Sequence, residues 1–248
     1  MKFAVVSLFP EIITNYFNYG VVGRAAQKNL VDIKYYNPRN YTTDVHHTVD
    51  DKPYGGGAGM VLKPEPLDKA IIDAKKNLEN PKVIYLTPQG GLLTQNKIKD
   101  FALQQQPLIL LSGRYEGLDQ RIIDKHVDYE LSIGDYILSG GELAVLVMLD
   151  GIIRLLPGVL GDNNSALDES FSQNLFGLLE YPHYTRPTDY LGDKVPEVLL
   201  NGNHQQIKRW REKQVLGRTW LRRPNLLECE SLSHQQLQLL EEFKLENN

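Results

Sequence analysis

Five short apolar runs, with stretches of helical periodicity between them, most constrain how this 248-residue chain can fold. They are "KFAVVSLF" (2–9), "VDIKYYNP" (31–38), "KVIYLTP" (82–88), "PLILLSG" (107–113) and "YELSIG" (129–134). Runs this short, alternating with helices, predict a mostly parallel sheet covered on both faces. The helical stretches include "PEIITNYFNYG" and "EPLDKAIIDAKKNLE" (65–79), where Leu67, Ala70, Ile71, Ala74 and Leu78 recur at helical spacing.

After Pro157 the pattern changes. "GVLGDNNSALDESFSQN" (158–174) is rich in Gly, Asn, Ser and acids and reads as a mobile linker. Beyond it no strand pattern returns. "NHQQIKRWREKQVLG" (203–217) predicts a helix capped by Asn203 and stopped at Gly217, and "SLSHQQLQLLEEFKLE" (231–246) predicts another. The expected organisation is an α/β domain over 1–157, a linker over 158–174 and a small helical domain over 175–248.

With 42% apolar and 23% charged residues the chain can bury a full core. Its one cysteine, Cys229, excludes an internal disulfide and fits a reducing compartment. The opening "MKFAVVSLFPEII" is apolar for only seven residues before Pro10 and Glu11, and reads as a strand rather than a leader. The longest apolar run, from Leu143 to Leu156, is broken by Asp150 and Arg154, so a cytoplasmic protein without a membrane span is expected.

The net charge of −4 argues against nucleic acid, but its distribution argues the other way. Between His204 and Arg223 stand Lys208, Arg209, Arg211, Lys213, Arg218, Arg222 and Arg223 against Glu212 alone, a segment of +6 that leaves −10 for the rest. A basic stripe on an acidic chain points to a polyanion docking in one place; a solvated helix face is the plainer alternative.

Three predicted strands run into glycine-bearing loops: "LTPQGG" (86–91), "LSGRYEGLD" (111–119) and "LSIGDYILSGGEL" (131–143). In open parallel sheets ligands sit beyond the carboxyl ends of the strands. These loops together would make a pocket of exposed backbone with Tyr115, Tyr136, Glu116 and Asp135. Backbone amides and carbonyls suit an adenine edge, and the carboxylates suit a cation or ribose hydroxyls. Tight turns alone are the other explanation for the glycines. No phosphate-loop motif is present, and "YGGGAGM" (54–60) follows the polar "VDDKP" rather than a strand, so it fails as a dinucleotide fingerprint. "DVHHTVDD" (44–51) offers His46, His47, Asp50 and Asp51 to a metal, but a polar loop that organises a substrate is the better reading.

"TVDDKPYGGGAGM", "VIYLTPQG", "SGRYEGLDQR", "SIGDYILSGGEL", "RLLPGVLG", "PHYTRP" and "RTWLRRP" stand in the order found in bacterial tRNA (guanine-N1)-methyltransferases of the TrmD type. The chain resembles that family from its first strand to its last helix. The resemblance implies an α/β domain of the SPOUT class with a deep trefoil knot, a homodimer whose active sites are shared between subunits, and tRNA as substrate. It implies transfer of a methyl group from S-adenosylmethionine to N1 of the guanosine just 3′ of the anticodon, position 37, which protects the reading frame. Tyr85, Leu86, Thr87, Gly113, Tyr115, Glu116, Ser132, Ile133, Gly134, Asp135, Tyr136, Ile137, Leu138, Gly140 and Gly141 would surround the cofactor. The resemblance also implies a magnesium requirement, for which no protein site is visible in the sequence.

Guanine N1 must lose a proton to become nucleophilic, and negative charge then develops on O6. Arg154, within an otherwise apolar helix, matches the family's cation; pairing with Asp150 one turn back is its alternative role. Glu116 matches a family position near the sulfonium. The family's linker base is an Asp before Ser-Phe, whereas this chain reads "LDESF", so Glu169 takes that place with Asp168 as the alternative. Ala58 and Ala144 stand where proline is common in the family. Asp50 belongs with the RNA-recognition residues, and the stripe from Lys208 to Arg223 becomes the tRNA grip. Methylation of a ribose hydroxyl or a ribosomal base, or RNA binding without catalysis, are the competing readings.

Overall fold

The computed structural model describes residues 1–161, 168–228 and 232–247; Cys229 and residues 162–167 of the expected linker lie outside the described residues. The chain divides into two units, Met1–Gly161 and Asp162–Asn248.

The first unit is built on five parallel strands, β1 (Lys2–Val6), β2 (Asp32–Tyr36), β5 (Lys82–Leu92), β6 (Leu108–Ser112) and β7 (Tyr129–Ser132). Their order across the sheet is β2-β1-β6-β5-β7. Successive side chains of a strand point to opposite faces, and both faces here are apolar. Phe3, Val5, Ile84, Leu86, Leu108 and Leu110 pack on one side, against Ile13 of α1 (Pro10–Tyr16), Val22 of α2 (Gly20–Gln27), Ile98 of α4 (Gln95–Gln104) and Met148 of α6 (Glu142–Ile153). Ala4, Val6, Val83, Tyr85, Ile109 and Leu111 pack on the other, against Leu67 and Ile71 of α3 (Pro64–Lys76) and Ile122 of α5 (Gln120–His126). The expected doubly covered parallel sheet is the observed one.

Two details of the first unit depart from the sequence reading. Strand β5 does not stop near Pro88 but continues to Leu92, with a register shift between Leu86 and Gly91 against β7. Gly90 makes this possible, since a Cβ there would overlap the β7 backbone at Glu130 and Leu131. The loop 54–60 also has strand on both sides: two-residue β3 (Asp50–Asp51) pairs antiparallel with β4 (Val61–Leu62).

The second unit is mainly helical, with α7 (His204–Arg222), short α8 (Pro224–Leu227) and α9 (His234–Glu246) around Leu178, Val215, Leu216, Leu239 and Leu240. Asn203 caps α7 as expected, its side chain accepting from the amides of Gln205 and Gln206. Gly217 does not end that helix, which runs on to Arg222. A strand pair that the sequence reading missed, β8 (Asp189–Tyr190) with β9 (Asp193–Lys194), turns at Leu191 and Gly192, both at positive φ. Trp220 joins the core of this unit, whereas Trp210 lies half-buried with its ring 6.4 Å from that of Tyr184.

Candidate active site

The three glycine-bearing loops meet at the carboxyl ends of β5, β6 and β7, around a cavity of about 430 Å³. That volume is in the range of small-molecule sites. Tyr85, Leu86 and Thr87 come from β5, Gly113, Tyr115 and Glu116 from the loop after β6, and Ser132, Ile133, Gly134, Tyr136, Ile137, Leu138, Gly140 and Gly141 from the chain after β7. Of the residues expected around the cofactor, Asp135 alone is outside this lining. Gln89, Arg114 and Ser139, inside the three quoted loops but not named as site residues, also line it, as do Glu130 and Ala144. Glu130 had no signal beyond its place in the run that leads into the third loop.

The glycines let backbone approach backbone. A Cβ on Gly141 would stand 2.9 Å from the Gly113 nitrogen, and the Gly141 amide donates to Gly113 O at 2.8 Å. Gly113 itself faces the Tyr85 ring and hydroxyl, and burial pushes the Tyr85 phenol above its ordinary pKa. Downstream, Ser132 Oγ donates to Gly134 O and accepts from Gly134 N, and the Tyr136 hydroxyl donates to Ile133 O at 3.2 Å. Tyr115 is held at φ 59°, a left-handed conformation uncommon for a non-glycine residue and concentrated at functional sites.

The loop 54–60 docks beside this cavity. Glu116 N donates to Met60 O at 2.9 Å and Leu62 N to Gly117 O at 2.9 Å. Gly59, at φ +85°, lies so close to the Glu116 carboxylate that a Cβ would overlap it. Asp50 is half-buried in β3, at the start of the same hairpin.

Residues 1–229 match the family described as tRNA (Guanine-1)-methyltransferase TrmD. The chain belongs to that family. It is 52% identical over 249 residues to the tRNA (guanine-N(1)-)-methyltransferase of Pseudomonas putida strain W619, covering 100% of this chain and 98% of that one. The protein of the same name from Chromohalobacter salexigens is 51% identical over 250 residues, covering 98% and 92%.

Of the other expected site residues of this family member, Arg154 lies outside this cavity's lining and the rest belong to the second unit. Arg154 is not inside α6 but caps its C-terminus, and it lines a second cavity of about 230 Å³ with Tyr16, Tyr19, Asp150 and Leu160. Asp150 accepts from the Tyr16 hydroxyl at 2.8 Å. In the second unit Asp168 accepts from Asn174 Nδ2 at 3.1 Å, and the Glu169 carbonyl from the Ser172 amide at 3.0 Å. The Phe171 amide bonds Leu178 O, and Ser170 Oγ accepts from the Glu180 amide, so this end of the expected linker is a hydrogen-bonded turn.

The basic stripe divides over two faces of α7. Arg209 pairs with Glu242 of α9 through two contacts, 2.9 and 2.6 Å, and Lys213 meets Glu246 at 2.6 Å. Lys208, Arg211, Arg218 and Arg222, at spacings of 3, 7 and 4, share another face. Arg211 lies over the Tyr181 ring at 4.6 Å, and Arg223 Nε donates to Asn225 Oδ1 at 3.2 Å. Among the described residues no group of three or more His, Cys, Asp or Glu side chains could hold a metal ion, and none includes His46, His47, Asp50 and Asp51. No helix among the described residues is long and apolar enough to cross a membrane.

Proposed function

We propose that the protein methylates N1 of guanosine 37 in tRNA with S-adenosylmethionine, acting as a homodimer of knotted subunits. The observation that carries this reading is the cavity at the ends of β5, β6 and β7, where glycine-bearing backbone and the carboxylates of Glu116 and Glu130 line one space. Bound there, the cofactor supplies a methyl group made electrophilic by its sulfonium. Tyr85 to Thr87, Gly113, Tyr115 and the 132–141 loop hold the adenosyl part by backbone groups and ring faces. Asp135 stands outside that lining and is the weakest member of the set. Glu116 offers negative charge at the edge shared with Gly59.

Glu169, or Asp168 one residue earlier, removes the N1 proton as the nitrogen's electron pair forms the bond to the methyl carbon and the carbon–sulfur bond breaks. Arg154 stabilises the charge that grows on O6. Lys208, Arg211, Arg218, Arg222 and Arg223 contact tRNA phosphates, which position the RNA without reading its sequence. Arg209 and Lys213 are expected to contribute little, because α9 already engages them. Asp50 and the loop 54–60 take part in holding the extruded base. Methylation at this position protects the reading frame.

One observation supports the wider assembly. Phe9, Ile12, Tyr16, Leu143 and Val147 of the α1–α6 side are exposed, between 39% and 52%, a patch suited to a second copy of the chain.

The test is single-turnover transfer of labelled methyl to tRNA transcripts carrying guanosine or adenosine at position 37, with wild type, Asp168→Ala and Glu169→Ala. Guanosine-dependent transfer that is lost only with Glu169→Ala supports the reading with Glu169 as base. Loss only with Asp168→Ala moves the base by one residue. Absence of transfer from wild type to either transcript overturns the guanine assignment.

A further inference from the structure

Arg114 and Glu142 connect the two loops that wall the cavity, and the mechanism above uses neither. Glu142, the first residue of α6, is 1% exposed. A carboxylate that deep is costly unless its oxygens are satisfied. Its Oε1 accepts from Ser7 Oγ at 2.9 Å, at the end of β1, and its Oε2 forms an ion pair with Arg114 Nε at 2.9 Å that lacks hydrogen-bond geometry, so charge attraction alone offsets the burial of that oxygen. The amides of the first turn of α6 favour the same negative charge.

Arg114 is held as tightly on its other sides. Its Nη1 donates to Ser139 O at 3.1 Å, and its guanidinium lies 4.6 Å from the centre of the Phe9 ring. A Cβ on Gly140 would overlap the Arg114 side chain, so only glycine lets the chain after β7 pass there. One planar guanidinium thus spans from the 113–119 loop to the 133–141 loop, with its charge answered inside the protein.

We propose that Arg114 and Glu142 are a positioning pair for the cofactor: anchored on Ser7, they hold the two walls of the cavity at their binding separation before the cofactor arrives. This rests on the cavity being the S-adenosylmethionine site and adds to it the residues that preorganise it. Preorganisation shows in binding, because loops left unordered must be ordered when the ligand enters. The chemical step, carried by other residues, is affected much less.

The experiment titrates S-adenosylhomocysteine into full-length wild type, Glu142→Gln, Arg114→Lys and the double variant Arg114→Ala/Glu142→Gln by calorimetry. It also measures kcat and the KM for S-adenosylmethionine. Glu142→Gln keeps the side-chain shape and the acceptor for Ser7, but removes the charge facing Arg114 and sets an amide donor against its Nε. It is expected to weaken S-adenosylhomocysteine binding about tenfold and raise KM in proportion, with kcat changed by less than about threefold. Arg114→Lys keeps a charge but cannot reach Glu142 and Ser139 together, so it behaves the same way. The double variant leaves no stranded buried charge, which protects folding, and loses binding by about as much as Glu142→Gln alone because the two residues act as one unit. Variants that bind S-adenosylhomocysteine as tightly as wild type overturn the pairing alone. A fall confined to kcat overturns it too, by placing Arg114 in the chemical step. Wild type that binds no S-adenosylhomocysteine overturns the reading of the cavity, and the pairing with it.

Discussion

Gly217 of α7 faces Phe243 of α9 so closely that a Cβ at residue 217 would overlap the aromatic ring. The glycine is an inter-helix contact and not a helix stop, which is why α7 continues through it to Arg222. Gly217→Ala gains helix propensity of about 1 kcal/mol, but overpacking costs about 1–3 kcal/mol. Backbone on one side and a buried ring on the other leave little room to relax, so a net loss of stability in thermal denaturation is expected. A variant as stable as wild type would show that Phe243 can move aside.

The division of the basic stripe predicts a division of effects. Arg211→Ala, Arg218→Ala and Lys208→Ala should each weaken tRNA binding and reduce the slope of log affinity against log salt by about 1. Arg209→Ala should leave that slope unchanged and cost no more than about 1 kcal/mol of stability, because its pair with Glu242 is largely exposed. Fluorescence titration of tRNA at several salt concentrations separates the two faces.

Acid should weaken the first unit through Asp68 of α3. The His126 ring and then the Lys125 ammonium, both bonded to Asp68 Oδ1, hold its carboxyl below the usual carboxylate range. A carboxyl whose pKa is lower folded than unfolded adds stability above its unfolded pKa, and that stability is lost as pH falls through the folded value. Asp68→Asn should therefore lower stability in urea unfolding near about pH 7, and the difference from wild type should shrink towards about pH 3. A constant difference across that range would remove Asp68 from the acid response.

Gly59→Ala tests the contact between the 54–60 loop and Glu116. The new Cβ meets the Glu116 side chain, and the residue must keep φ +85°. Because Tyr54 to Gly59 are exposed, the loss of stability should be confined to the backbone strain at residue 59, about 1–3 kcal/mol. Displacing Glu116 should lower kcat/KM for methyl transfer by about tenfold or more. Unchanged kinetics in a folded variant would dissociate this loop from the reaction.

The sequence by itself determined the parallel α/β architecture, because runs such as Phe3–Ala4–Val5–Val6 and Leu108–Ile109–Leu110–Leu111 bury both faces and leave a strand no exposed side. It also marked the three glycine-bearing loops, since a sheet of this kind opens at the carboxyl ends of its strands, and those loops do share one cavity. Only the tertiary structure decided the rest. That Gly217 packs instead of terminating depends on Phe243, 26 residues away in sequence. That Arg209 and Lys213 face carboxylates of α9 while Arg211 lies over the Tyr181 ring depends on where α9 lies. That Glu142 is a buried anchor depends on Ser7 and Arg114, which reach it from two other strand ends. Periodicity records which face of an element is apolar; the partner of a charge or a glycine is set by packing between segments distant in the chain, and a local pattern carries no record of that.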